Sequence, residues 1–240
     1  MRKRTIQAKI LRRLRNYAAR GADSLERRYR RRELADAALP GAPKVHTHMT
    51  ALELNSLYDL AAEATDTHRA LEIGSYLGAS SCYLAAALSM HGGQLTCVDT
   101  WSNETMPEGE RDTLAEFKRN TSGVADAITM IRKRSDELTD ADLPLPFDLV
   151  FIDADHSYPA VKGDFEKVRG WVRDGGTLVF HDTTYFEAVS RVLGEILATG
   201  EWQLAGKADS LVWLRKIGPT GSFPNPMSPD ERAGLKSGSP

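Results

Sequence analysis

No run in these 240 residues approaches the roughly 18–20 uninterrupted apolar positions that a membrane-spanning helix needs. The positively charged N-terminus is not followed by the apolar stretch of an export signal, so the chain reads as cytoplasmic. Cysteine is scarce: Cys82 and Cys97 have neither CxxC nor zinc-like spacing. That excludes a disulfide framework and a structural zinc knot, and leaves two buried thiols, one in an expected helix and one in an expected strand. There is no internal repeat, which excludes a solenoid, and no GxGxxG, the usual turn of dinucleotide-binding enzymes.

With 41% hydrophobic residues, the chain can bury one sizeable core. The net charge of −2 hides an asymmetry. Met1 to Arg32 holds 13 Lys or Arg against Asp23 and Glu26, so this stretch carries +11 and the remainder −13. Ile6, Ile10, Leu14 and Tyr17 form an apolar stripe at helical spacing among the arginines. The segment 1–43 therefore reads as a basic amphipathic helix and linker, suited either to an anionic membrane surface or acidic partner, or to plain packing or dimerisation. Residues 218–240 contain five prolines and four glycines with no apolar periodicity, and read as a disordered tail.

The main domain falls over 44–217. Thr50 with Glu53 three positions later signals a capping box for a helix to about Ala64. From Arg69 onward short β-rich runs alternate with helical ones. Strands are expected at Ala70–Ile73, Gln94–Val98, Ala127–Arg132, Phe147–Ile152 and Thr177–Phe180, then at Trp202–Leu204 and Leu211–Leu214. Helices are expected at Ser80–Met90, Glu108–Asn120, Tyr158–Val172 and Phe186–Ala198, with a short turn at Ser135–Leu138. This pattern predicts an α/β fold: a doubly wound, mostly parallel, seven-stranded Rossmann-like sheet with helices on both faces.

Three strand ends carry chemistry. After the first strand, Glu72-Ile73-Gly74-Ser75-Tyr76-Leu77-Gly78 is a glycine turn leading into a helix N-terminus, where backbone N–H groups can approach a ligand; such turns are also often purely structural. The second strand ends at Asp99, placed to accept hydrogen bonds from both hydroxyls of a ribose. The plainer alternative makes Asp99 a cap and Trp101 a packing residue. The fourth strand delivers Asp153, Asp155 and His156, and the fifth delivers His181 and Asp182. Carboxylates from neighbouring strands could converge there on one cation; the alternative leaves Asp155 as a helix cap and His181 as a satisfied histidine.

In combination, EIGSYLGAS, VDTW, IRKRSDEL, FIDADHSY and GGTLVFHD resemble the class I S-adenosylmethionine-dependent methyltransferases. Within that family they resemble the small O-methyltransferases of the catechol O-methyltransferase and natural-product type. The resemblance runs from about Thr50 to Leu214. It implies that Glu72, Gly74, Ser75, Tyr76, Gly78 and Ser80 surround the methionine part of S-adenosylmethionine, with Asp99 on the ribose, Ser135 and Trp101 near the adenine, and Asp153 at the cofactor's edge. It further implies Asp153 and Asp182 as carboxylate ligands of a divalent cation such as Mg²⁺, with His156 as general base. His181 stands where some relatives have an acidic ligand, and Thr183 where others have an amide.

Methyl transfer from a sulfonium is an in-line displacement, so the protein must position an oxygen and raise its nucleophilicity. A cation would acidify a coordinated hydroxyl, and His156 would accept its proton. Carboxylates favour Mg²⁺, and an imidazole from His181 tilts towards a transition metal. The expected acceptor is a small hydroxylated molecule such as a sugar, polyketide or phenol, held by Lys44–Thr50 with His46 and His48, Thr100–Asp112 and Thr183–Glu187. A metal-independent methyltransferase with His156 as base remains open. A nicotinamide-dependent oxidoreductase leaves Asp153, His156 and Asp182 unexplained. The basic segment alone would give only nonspecific attraction to nucleic acid, so no specific nucleic-acid partner is expected. A homo-oligomer stays open.

Overall fold

The computed structural model describes residues 28–103 and 109–218. The apolar stripe from Ile6 to Tyr17, residues 104–108 of one expected acceptor segment, and the tail over 219–240 lie outside the described residues.

Seven strands form one sheet in the order β3-β2-β1-β4-β5-β7-β6. They are β1 (Arg69–Ile73), β2 (Gln94–Asp99), β3 (Ile128–Arg132), β4 (Phe147–Ile152), β5 (Val172–Phe180), β6 (Trp202–Ala208) and β7 (Leu211–Lys216). The first five are parallel, and β7 runs antiparallel between β5 and β6. The expected doubly wound sheet with helices on both faces is what the chain forms. Its strand order reverses between β1 and β4, and the crevice beyond their carboxyl ends is where such sheets bind ligands.

Alternation along the strands divides the core in two. Leu95, Cys97, Leu149, Phe151 and Val179 face the cluster that holds α2 (Ala51–Ala62) and α3 (Ala79–Ser89). Leu71, Val98, Val150, Leu178 and Phe180 face the one that holds α5 (Tyr158–Val168) and α6 (Glu187–Ala198). Every residue of α3 from Ala79 to Leu88 is buried, because the helix lies between α2 and the sheet; its alanines and serines allow that close approach. Both cysteines are free and buried.

Helix α1, helical through residues 28–36, joins this core although it precedes the boundary expected at 44. Leu34 and Leu39 are buried in the α2–α3 cluster. Arg30 lies 3.6 Å over the Tyr58 ring and pairs with Glu33 and Asp59.

Two element boundaries depart from expectation for local reasons. Helix α4 (Leu114–Asn120) begins six residues after Glu108, because the Arg111 and Thr113 N–H groups donate instead to the Ser102 and Trp101 carbonyls. Helix α5 ends at Val168, and Val172, expected at the helix end, opens β5 opposite Phe147. The irregular register there accommodates Asp174-Gly175-Gly176, which does not read as strand. Both C-terminal strands also run longer than expected.

Candidate functional site

Three backbone hydrogen bonds carry the sheet's pairing past its carboxyl edge. Gly74 N donates to Val98 O (2.9 Å), Asp153 N to Ile73 O (2.9 Å), and His181 N to Ile152 O (3.2 Å). Gly74, Asp153 and His181 thereby stand side by side at the ends of β1, β4 and β5. Gly74 has φ +86°, and a Cβ there would lie 2.0 Å from Asp153 O, so only glycine lets the two strand ends meet.

The glycine turn is held from below and from the side. Glu72, completely buried, accepts from the hydroxyls of Ser75 (2.8 Å), Ser80 (2.5 Å) and Ser81. Burial raises its pKa, with the serine hydroxyls and the Cys97 thiol working the other way. Asp99 Oδ2 accepts from the N–H groups of Ser75 and Tyr76 (both 2.8 Å), and Oδ1 from Trp101 N (2.5 Å). A carboxylate offers about four acceptor positions, so these bonds leave acceptor capacity for a ribose hydroxyl.

Two cavities meet at this edge. One, of about 170 Å³, is lined by Gly74, Tyr76, Asp99, Thr100, Ser135 and Asp164, with Ile73, Val98, Ala154 and Ala160 as apolar walls. The other, of about 660 Å³, is lined by His46, Thr47, His48, Gly74, Ser75, Tyr76, Ser80, Asp153, His156, His181, Asp182, Tyr185 and Phe186, among others. Gly74, Tyr76, Asp153, Ala154 and Asp155 line both.

Three expected cofactor residues stand behind the walls. Glu72 supports the turn as described. Gly78 packs against Phe117 and Thr121, which a Cβ there would meet at 3.0 and 2.8 Å. Trp101, expected beside the adenine, is 0% exposed and packs on Phe117 with ring centroids 5.0 Å apart. Its position in the core, away from either cavity, follows from a left-handed backbone turn at Trp101 itself (φ 50°).

Asp153, His156, His181 and Asp182 come together as expected. His181 Nδ1 lies 3.2 Å from Asp153 Oδ1 and 3.5 Å from Asp182 Oδ1. His156 Nε2 lies 3.2 Å from Asp182 Oδ2 and 3.6 Å from Asp153 Oδ1, its ring stacked on Phe186 at 4.3 Å. Thr183 is turned away: its N–H and hydroxyl both donate to Ser210 O. Asp155 accepts from Ser157 N, one residue ahead of α5.

The sequence did not single out Glu53 for this site. Its capping box with Thr50 is present, yet its buried carboxylate also accepts from Ser210 N and Oγ and lies 3.3 Å from His181 Nε2. Burial pushes the Glu53 pKa up, but hydrogen bonds from His181, Ser210 and Thr50 outweigh it and bring the value down to about 2. For His181, burial opposes the cation, but Asp153, Asp182 and Glu53 outweigh it and push the pKa up to about 12. Asp153 behaves like Glu53: burial raises it, the two histidines lower it further, and it falls to about 2.

A divalent ion suits this donor set. One ligand atom from each of Asp153, His181 and Asp182 lies within 4.8 Å of the others. Glu53 on the far nitrogen of His181 is the partner that orients a metal-binding imidazole.

The fold is that typical of class I S-adenosylmethionine-dependent methyltransferases. Residues 71–183 match the family Methyltransf_24, described as a methyltransferase domain. Among solved structures, the chain is similar to the O-methyltransferase NovP at 12% identity, TM-score 0.62, covering 72% of this chain and 82% of that one. It is also similar to the O-methyltransferase TomG from Streptomyces achromogenes, solved with S-adenosylmethionine, at 21% identity, TM-score 0.53, covering 78% and 90%. An rRNA methylase from Streptococcus thermophilus matches at 16% identity, TM-score 0.51, covering 70% and 99%. At these identities the likeness establishes the fold; acceptor chemistry has to be argued from the site.

Proposed function

We propose that this chain transfers the methyl group of S-adenosylmethionine to a hydroxyl oxygen of a small molecule, with His156 as general base. The observation that carries the reading is the junction of the two cavities at Gly74, Tyr76 and Asp153. A nucleoside in the narrow cavity would present its sulfonium methyl at the mouth of the wide one, where His156 and the two carboxylates lie. The wide cavity has the size of a small-molecule site and an aromatic rim of Tyr185 and Phe186. His46 and His48 line it, whereas Thr100 and Asn103 line the narrow cavity.

In this reading Asp153, Asp182 and His181 hold a divalent ion. When bound, it would lower the pKa of the acceptor hydroxyl. His156, fixed by its stack on Phe186, then takes the proton at Nε2, and the cavity walls align the oxygen with the methyl group.

A second reading has its own support. His181 lies among Glu53, Asp153 and Asp182, whose carboxylates favour its protonated form. It can neutralise the carboxylates itself, leaving His156 to act without metal.

The test is transfer of labelled methyl from S-adenosylmethionine to a panel of phenols, sugars, hydroxylated polyketides, amines and ribosomal RNA, with and without chelator. O-methylated small molecules are the expected products. Transfer confined to amines or to RNA would overturn the reading. Chelator-sensitive transfer restored by Mg²⁺ or Mn²⁺ supports the metal, and full activity in chelator supports the second reading.

A further inference from the structure

Glu53 carries more bonds than a helix cap requires. Oε2 accepts from Thr50 N (2.7 Å), which completes the cap of α2. Oε1 accepts from Ser210 N (2.8 Å) and Ser210 Oγ (2.6 Å), in the turn between β6 and β7. That turn is held in its own right: Thr50 Oγ donates to Asp209 Oδ2 (2.8 Å), and the N–H (3.0 Å) and hydroxyl (2.7 Å) of Thr183 donate to Ser210 O. The carboxylate is thereby pinned between α2 and the β6–β7 turn. Glu53 is 1% exposed and His181 3%. Nε2 of His181 is closed to water, with Oε2 of Glu53 3.3 Å away. A buried N–H needs an acceptor, so a proton on Nε2 is directed at Glu53.

The other nitrogen faces the chemistry. Nδ1 lies 3.2 Å from Asp153 Oδ1 and 3.5 Å from Asp182 Oδ1. Two donor atoms each about 2.1 Å from one ion, at angles between a right angle and the tetrahedral angle, lie about 3.0–3.4 Å apart. Nδ1 and the two oxygens therefore need little rearrangement to share an ion, which takes the place of any proton on Nδ1 as that proton leaves to water. Turning the imidazole over about its Cβ–Cγ bond would take Nδ1 from the carboxylates and Nε2 from Glu53 together. Holding one nitrogen fixes the other.

Resting on the metal reading above, we infer that Glu53 is a positioning residue: it holds Nε2 of His181, commits Nδ1 to the ion, and so gives the site a preference for a transition ion such as Mn²⁺ over Mg²⁺. Two aspartates alone would suit Mg²⁺, which keeps to oxygen, whereas an imidazole donor favours the transition ions. A carboxylate on the far nitrogen fixes the ring and raises its basicity as a ligand.

Calorimetry with Mn²⁺ and with Mg²⁺ on the full chain tests this. Wild type should bind Mn²⁺ more tightly than Mg²⁺, and Glu53→Gln should lower the Mn²⁺ affinity by about 10- to 100-fold, the usual effect of losing such a partner, with a much smaller change for Mg²⁺. In a His181→Asn background the same Glu53→Gln change should leave Mn²⁺ affinity unaltered. An equal loss for both ions, or the same loss in both backgrounds, would make Glu53 a structural brace only and overturn the inference, as would an unchanged Mn²⁺ affinity. Because the Gln NH₂ must face an N–H of Thr50 or Ser210, the variant also loses stability, so a second measurement uses wild type alone. In ¹⁵N spectra of the Zn²⁺-loaded protein, with His181 assigned from His181→Asn, Nε2 should keep its proton and Nδ1 should bind the ion; an ion on Nε2 would overturn the inference. Failure of wild type to bind any of these ions would overturn the metal reading and this inference with it.

Discussion

Asp99→Ala separates the support of the glycine turn, which the structure shows, from the proposed ribose contact of the same carboxylate. Its three accepted bonds come from backbone N–H groups, two in the glycine turn and one at Trp101. Ser75 is 2% and Trp101 0% exposed, so the truncation strands two N–H groups in residues closed to water. At about 1–3 kcal/mol each, the cost is roughly 2–6 kcal/mol of stability, from a total of about 5–15 for a domain. Asp99→Asn should cost nearly as much, because its NH₂ must face either the turn or Trp101, donor against donor. The remaining acceptor position, if it takes a ribose hydroxyl, contributes about 1.5–3 kcal/mol to S-adenosylhomocysteine binding, or roughly 10- to 150-fold in Kd. Thermal unfolding with and without ligand reads both terms. At a ligand concentration near 100 times the wild-type Kd, wild type should gain about 2.7 kcal/mol, while a variant weakened 100-fold gains about 0.4 kcal/mol. A lowered midpoint with a wild-type ligand shift would refute the ribose contact; an unchanged midpoint would refute the support of the turn.

Further outcomes follow from other groups. His156→Ala should lower turnover by about 10²- to 10⁴-fold with little change in S-adenosylhomocysteine affinity, and a wild-type rate would remove the base assignment. Burial pushes the buried Asp148 up, but Arg173 and the N–H and hydroxyl of Thr67 outweigh it and hold the pKa below the usual carboxylate range. A depressed native pKa gives stability that is present above pH ~4 and lost as pH falls through the native value. Asp148→Ala, which strands the N–H groups of Thr67 and His68 and leaves Arg173 to the more exposed Asp66, should cost about 1–3 kcal/mol at pH 7 and flatten the acid limb of a pH–stability curve; an unchanged acid limb would count against it.

The sheet was legible because each strand is short, apolar and bounded by turn residues, and that signal needs no tertiary knowledge. Its failures lie where tertiary bonds overrule local preference. The run from Glu108 reads as helix until the carbonyls of Trp101 and Ser102 claim its N–H groups. Val172 reads as the end of a helix until Phe147 offers it a strand partner. Helix α1 reads as a solvated basic segment because its charges dominate its composition. Leu34, Leu39 and the Arg30 stack on Tyr58 emerge only when α2 is in place beside them.

The site divides along a similar line. Asp153, His156, His181 and Asp182 were legible because parallel neighbouring strands must present their carboxyl ends together, so adjacency in the sheet follows from topology alone. Glu53 and Asp164 lie on helices, and whether a helical carboxylate reaches the site depends on how its helix is rotated over the sheet. No periodicity fixes that rotation to within one residue. Glu53 did show a signal, its capping box, but a cap needs only one carboxylate oxygen, and the spacing says nothing about where the other points. In the structure that other oxygen takes the Ser210 N–H and hydroxyl, while the capping oxygen also faces His181. One side chain thus ties the start of α2, the turn between β6 and β7, and the end of β5 together. The converse error concerns Trp101. Its place after the strand expected to hold the ribose suggested the adenine pocket, but the backbone turns left-handed at Trp101 and the indole lies in the core, and a single dihedral of that kind is invisible to spacing.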